Sequence, residues 1–236
     1  MRRLAVGVLS LVLLAPTSVW AGHQSSFNAS GSCIEYAVGI PVDAAKAQAL
    51  VPEGFNVLQV GGRALVSTFA QSCSTSVDES KPTETVLSGI FVFVDPTTSP
   101  GGCQAYGFAW GDSSASPFLK AMRHLGWTME VIPDSNFDRN QTTVAASVPS
   151  RSWPWSTGSS AGLPPPARVP FVSVHCHVGP SGLVRLTVTH DITASLGAGP
   201  VEVGDGELWS DLGAESQTTA GALFEFTWSA TAEIIE

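Results

Sequence analysis

Glycine and proline interrupt this chain too often for long helices. Its 236 residues include 23 Gly and 16 Pro, and the apolar runs between them are short, a pattern of strands and turns and not of a helical bundle. Hydrophobic residues make up 44% and charged residues 13%, enough apolar surface for one sizeable core and too much for disorder. Lys and Arg total 11 against 20 Asp and Glu, a formal charge of −9. No basic cluster follows Arg3, and because phosphate contacts need clustered cations, nucleic acid is not an expected partner.

The first 21 residues have the layout of a secretory signal peptide: Arg2 and Arg3, an apolar stretch from Leu4 to Ala15, and a small-residue exit at Val19-Trp20-Ala21. Pro16, Thr17 and Ser18 end the apolar stretch before the roughly 20 residues that a membrane span needs. Cleavage after Ala21 leaves residues 22–236 as a single secreted or periplasmic domain without a membrane contact. Losing both arginines takes the charge from −9 to −11. Four cysteines remain, Cys33, Cys73, Cys103 and Cys176, and an even number in an exported chain suggests two disulfides. Their spacing contains no C-x-x-C pair of the kind that holds zinc. Three pairings are possible. Cys33 with Cys73 and Cys103 with Cys176 is favoured, because Cys33 opens one expected strand and Cys73 closes another that could lie antiparallel to it. Asn28-Ala-Ser and Asn140-Gln-Thr match the glycosylation acceptor pattern.

Alternating or continuous apolar residues predict strands at Cys33 to Ile40, Arg63 to Gln71, Glu84 to Val94, Gln104 to Trp110, Thr128 to Ile132, Thr142 to Val148, Val169 to Val178, Leu183 to Ile192 and Leu223 to Trp228. Val86 to Val94 is dense enough to be buried on both faces, so it belongs at the centre of a sheet. Asp43 caps a short helix from Ala44 to Leu50. A second helix starts at Ser114 or Ser116, carries Phe118, Leu119, Met122 and Leu125 at helical spacing, and stops at Gly126. Residues 149–170, rich in Pro, Ser and Gly and containing Trp153 and Trp155, read as a long loop folded over one end of the domain. Gly179-Pro180-Ser181-Gly182 is a hairpin signal, and a two-residue turn there sets His190 opposite Phe171.

His175-Cys176-His177 would place two imidazoles on one face of a strand, about 6.7 Å apart. They could share a metal ion if a third ligand, such as Asp191, came near. His190 falls four residues along the ladder from the partner of His175, roughly 13 Å away, so ordinary sheet histidines are the favoured reading. There is no G-x-S-x-G elbow, phosphate loop or H-E-x-x-H helix, and no cofactor is implied. Of the three lysines, Lys46, Lys81 and Lys120, only Lys120 sits in an otherwise apolar helix, where desolvation could free its amine to attack a carbonyl. It lies off the stripe formed by Phe118, Leu119, Met122 and Leu125, so exposure is favoured.

Several segments together carry a resemblance: Pro41-Val-Asp-Ala-Ala-Lys-Ala-Gln-Ala-Leu-Val-Pro-Glu-Gly-Phe55, Arg63-Ala-Leu-Val-Ser-Thr-Phe-Ala70, and Gly107 leading to Ser114-Ala-Ser-Pro117. The chain resembles the acetoacetate decarboxylase-like superfamily over Cys33 to Ile132. The resemblance implies a mainly β (α+β) fold: a closed, cone-like antiparallel β-barrel with a few short peripheral helices and an apolar interior for a small keto acid. It also implies an adjacent lysine pair after the Ser-Ala-aromatic-Pro turn, one forming a Schiff base and the other lowering its pKa. In this chain Phe118 and Leu119 follow that turn, with Lys120 one position beyond. The expected substrate-holding arginine aligns near Ile40 or Pro41.

Two functions follow from that comparison. The first is an exported decarboxylase-like domain that lacks the lysine pair and binds a small apolar or keto-acid-like ligand, through Phe118, Leu119, Trp153 and Trp155. The alternative is a lyase-type enzyme on the same scaffold, using Lys120 or a histidine-based acid–base site. A third reading is an extracellular structural or interaction domain without a cavity.

Overall fold

The computed structural model describes residues 25–160 and 163–235; the signal segment at residues 1–21 lies outside them. Twelve strands form one sheet: β1 (Ser26–Asp43), β2 (Gln59–Val60), β3 (Arg63–Val77), β4 (Thr83–Phe93), β5 (Ala105–Asp112), β6 (Met129–Val131), β7 (Asn136–Arg139), β8 (Thr143–Val148), β9 (Trp155–Ser160), β10 (Leu163–Gly179), β11 (Gly182–Val203) and β12 (Gln217–Ile235). Seven of them close on themselves in the order β1-β3-β4-β5-β10-β11-β12 and back to β1. Closure leaves no open edge within the ring. Every junction of the ring is antiparallel except β5–β10, which is parallel and only two residue pairs long, His175 with Ala105 and Cys176 with Tyr106. The expected antiparallel arrangement thus holds at six of the seven junctions. After the second helix the chain first returns to β5 as β6, which also runs parallel to it, and it reaches β10 only after β7, β8 and β9.

The alternation along β1 shows how one sequence serves two environments. Phe27, Ala29, Cys33, Glu35 and Ala37 point into the ring, while Tyr36, Val38, Ile40 and Val42 point outward and are buried nonetheless. They are covered by β8 and β9, which leave the ring at Val201–Val203 of β11, and by the helices α1 (Ala44–Leu50) and α3 (Glu207–Leu212). Towards the start of β1 no described element covers the outer face, and its residues turn polar. Thr187, Thr231 and Asn28 lie abreast on β11, β12 and β1, and Thr189, Ser229, Ser30 and Ser76 form the next row, ending on β3.

Both expected helices form where their caps place them. The Asp43 carboxylate accepts the Ala45 and Lys46 amides at 2.8 and 3.0 Å to start α1, and these bonds hold its pKa below the usual carboxylate range. In α2 (Pro117–Leu125) the Ser116 hydroxyl accepts the Leu119 amide at 3.1 Å, and Gly126 ends the helix at a φ of 98°. Ser116 itself donates to the fully buried Asp112, which also accepts from the Thr85 hydroxyl and, at 2.9 Å, from the Ser114 amide. The carboxylate thus ties β4, β5 and the start of α2 together. Asp112→Ala strands those hydroxyls in the core and is expected to cost about 2 kcal/mol. Urea unfolding measures it, and an unchanged midpoint would show that the network is idle.

Residues 149–170 are not one loop. Trp155–Ser160 is a strand between β8 and β11, and β10 begins at Leu163. Hydroxyls replace apolar side chains on its buried face: Thr157 donates to the Pro200 carbonyl at 2.8 Å and shares a hydrogen bond of 2.5 Å with Ser159. The three prolines that argued against a strand fall where the β10–β11 register shifts, between Leu163 and Ala167, an irregularity that tolerates missing donors. β7 and α3 were without a clear sequence signal. The disulfides are Cys33–Cys73 and Cys103–Cys176, the favoured pairing. Among the described residues no helix is long and apolar enough to cross a membrane; that and the two disulfides are compatible with an extracellular or periplasmic protein.

Candidate functional site

The ring encloses a cavity of about 310 Å³ to which all seven strands contribute: Glu35 from β1, Gln71 and Phe69 from β3, Phe91 from β4, Trp110 from β5, His175 from β10, His190 from β11, and Phe226 and Trp228 from β12. Its volume is at the lower end of the range for small-molecule sites, roughly 300–1,000 Å³. α2 supplies the floor. The Phe118 ring meets Phe27, Trp110 and Trp228 at centroid distances of 6.1, 5.9 and 6.0 Å. At the other end Phe171 lines the cavity yet is 43% exposed, which marks the mouth.

Three titratable side chains face this apolar space. Glu35 is half-buried, with its accessible surface turned into the cavity, and no described residue gives its carboxyl a hydrogen bond or an ion pair. Burial alone pushes its pKa up to about 8, because a bare carboxylate among aromatic rings would lack the solvation it needs. His175 lies edge-on to Phe91 and Trp110, at 5.1 and 6.4 Å, and its Nδ1 has no hydrogen-bond partner among the described residues. Its pKa is pushed down to about 4 by burial and by repulsion from His190. His190 is also held down to about 4 by burial; it stacks on Phe171 at 4.6 Å and shares a 2.9 Å hydrogen bond with the Ser173 hydroxyl. At neutral pH the cavity therefore holds one carboxylic acid and two neutral imidazoles.

The sequence-selected residues divide sharply. Phe118 lines the cavity, at the position where the family resemblance sets the first lysine. Leu119 is fully buried in the packing of α2 and is not part of the wall. Lys120 is exposed, as are Lys46 and Lys81, so no lysine reaches the interior. Among the described residues no arginine lines it either, and Ile40 is buried on the outer face of the ring. Trp153 and Trp155 are buried in that outer layer with Trp209 and do not touch the cavity.

His177 shares the strand face of His175 but is engaged elsewhere. It lies stacked between Tyr106 and Trp127, its Nδ1 donates to the Gly107 carbonyl at 2.9 Å, and its Nε2 accepts from Thr128 at 3.2 Å. Both ring nitrogens are used in packing. Burial pushes its pKa down. Among the described residues no three His, Cys, Asp or Glu side chains converge as metal ligands. Glu35 was not among the residues the sequence selected, and His190 was weighed there only as a metal ligand; each had one visible signal. Glu35 is in phase with Cys33, and His190 lies opposite Phe171, as observed.

No family model matches this chain, and no curated protein matches its sequence. Solved structures do. An acetoacetate decarboxylase from Legionella pneumophila superposes with a TM-score of 0.56 at 12% identity, over 99% of this chain and 98% of that one. An enduracididine biosynthesis enzyme solved with pyruvate gives 0.53 at 15% identity, over 95% and 96%. An acetoacetate decarboxylase-like enzyme from Sphingomonas wittichii gives 0.52 at 12% identity, over 89% and 91%. At such identities the likeness is one of architecture and carries no chemistry with it. What this chain shares with these proteins, along nearly its whole length, is the acetoacetate decarboxylase-like fold.

Proposed function

We propose that this is an exported binding domain of decarboxylase-like fold that takes a small, uncharged, largely apolar molecule into the ring. The observation that carries the reading is the composition of the cavity wall: aromatic rings on most sides, polar groups that are neutral at pH 7, and no lysine. A Schiff base needs an amine, and a keto acid needs a countercharge; the described wall offers neither. Phe118 in place of the first lysine of the pair fits a scaffold that has kept its cavity and lost its amine chemistry. The signal-like start and the two disulfides support export.

Trp110 and Trp228 on the wall provide a direct readout. Phenylacetone is expected to quench tryptophan emission saturably at pH 6.5, with phenylacetate, its charged counterpart, at least tenfold weaker, a difference of about 1.4 kcal/mol. Ala37 also lines the cavity. Ala37→Phe occupies that space and should abolish the quenching while leaving the thermal midpoint within a few degrees of wild type. No saturable quenching, or equal affinity for the anion, would overturn the reading.

A further inference from the structure

We infer that the ring cavity is a proton-transfer site in which Glu35 as acid and His175 as base tautomerise an uncharged carbonyl compound. The inference rests on the reading of the cavity as a ligand site and adds chemistry to it. Its basis is the position of the two groups around the ring. From β1 to β10 the path crosses two strands in one direction, β12 and β11, and three in the other, β3, β4 and β5. In a ring of seven, those are opposite walls. Glu35 and His175 therefore face one enclosed space from opposite sides. Aromatic contacts link their levels: Ala37, two residues along β1 from Glu35, pairs with Phe69, which meets Trp110 at 5.2 Å, and Trp110 meets His175.

Neither group has a structural task. The Glu35 carboxyl has no partner among the described residues, and the buried Nδ1 of His175 has none either. Uncompensated polar groups in an apolar interior cost stability, and a fold that needed only a binding cavity would have apolar side chains there. By contrast His177, two residues away, is bonded at both nitrogens.

The step balances without a cofactor. A neutral ring nitrogen of His175 takes a proton from the carbon next to the carbonyl, and the electron pair of that C–H bond becomes the carbon–carbon double bond of the enol. The carbonyl oxygen takes the proton of the Glu35 carboxylic acid. Return of both protons regenerates Glu35 acid and neutral His175, with the carbon proton exchanged or its configuration inverted. The two groups need opposite protonation states at one pH, and burial supplies both: it keeps the carboxyl protonated up to about 8 and the imidazole neutral down to about 4. His190 is the other described titratable group on the wall, and Ser67, Gln71, Gln104 and Ser173 are its neutral polar groups.

The test is hydrogen exchange at carbon. Phenylacetone in deuterated buffer at pH 6.5 is followed by proton NMR for loss of its methylene signal, alongside tryptophan quenching of the same samples. Wild type is expected to accelerate exchange saturably above buffer, with a rate that falls above about pH 8 and below about pH 4. Glu35→Gln and His175→Gln should each lower the rate at least 100-fold while still binding the ketone. Lys120→Ala should leave it unchanged, which separates this route from amine catalysis. Saturable quenching with exchange at the buffer rate would overturn the proton-transfer site and leave the binding domain standing; no quenching would remove both. Should either variant fail to fold, the pH profile of wild type decides, since a rate that keeps rising through pH 8 excludes Glu35 as the acid.

Discussion

Glu35→Gln is expected to make the protein more stable at pH 8, by roughly 3 kcal/mol after allowing for screening by water in the cavity. The sign follows from proton binding. The ordinary glutamate value is 4.5, and in the folded protein the carboxyl is held protonated up to about 8. Between those limits the folded state binds a proton that the unfolded state has released, so raising the pH favours unfolding. Below about 4.5 both states are protonated and the contribution is fully present. His175 and His190 act in the opposite direction, because both are held neutral down to about 4 against an ordinary 6.5. Their contribution is present above about 6.5 and declines as the pH falls towards 4. His177, also held down by burial, acts in the same direction; together the imidazoles outweigh one carboxyl on the acid side, so wild-type stability should peak between about pH 6.5 and 7 and decline on both sides. Glutamine cannot ionise, and its variant should keep the acid limb and lose the alkaline one. Urea midpoints at pH 5, 6.5 and 8 and constant ionic strength test this; parallel losses in both proteins between pH 6.5 and 8 would show that Glu35 is solvated and free to ionise.

The same residue shows where sequence reasoning stops. Alternation was enough to locate the strands, and capping chemistry located α1 and α2 almost to the residue, because Asp43, Ser116 and Gly126 act within one helical turn. The hairpin turn fixed the register of Phe171 against His190. Phase was another matter. From Glu35 to Val38 both faces of β1 are covered, one by the cavity and one by the outer layer, and a strand covered on both sides gives no sign of which residues point inward. Hence Glu35 was not recognisable as a cavity residue. The tryptophans misled for a related reason: Trp153 and Trp155 are as buried as cavity residues would be, but against Trp209 on α3, an element without a sequence signal of its own. Lys120 went as its helix predicted, to the exposed face.

Removing the Cys103–Cys176 disulfide should cost more than stability alone. The loop it closes has a sequence separation of 73, for which chain entropy gives about 4 kcal/mol; the separation of 40 for Cys33–Cys73 gives a closely similar value. Entropy therefore predicts nearly equal losses for the two pairs, and the sheet predicts that their consequences differ. Cys33 and Cys73 are direct partners within a junction of fifteen residue pairs between β1 and β3, which stays zipped without them. Cys103 precedes β5, and Cys176 lies in β10, at the one ring junction that has only two pairs. The neighbouring Gln104 amide donates to the Val174 carbonyl at 2.9 Å, and the Val174 amide donates to the Gln104 side-chain oxygen at 3.1 Å. Little else in the backbone holds that seam. His175 is one of its two β10 residues, so the seam is also part of the cavity wall. In a Cys103→Ala, Cys176→Ala variant, amide exchange at Ala105, Tyr106 and His175 should accelerate well before global unfolding, and quenching by phenylacetone should disappear. The Cys33→Ala, Cys73→Ala variant should lose comparable stability and still bind. If both variants kept the ligand, closure of the ring at β5–β10 would not depend on the disulfide, and the Gln104–Val174 pair, the His177–Gly107 bond and the packing of His175 against Phe91 and Trp110 would suffice to hold that wall.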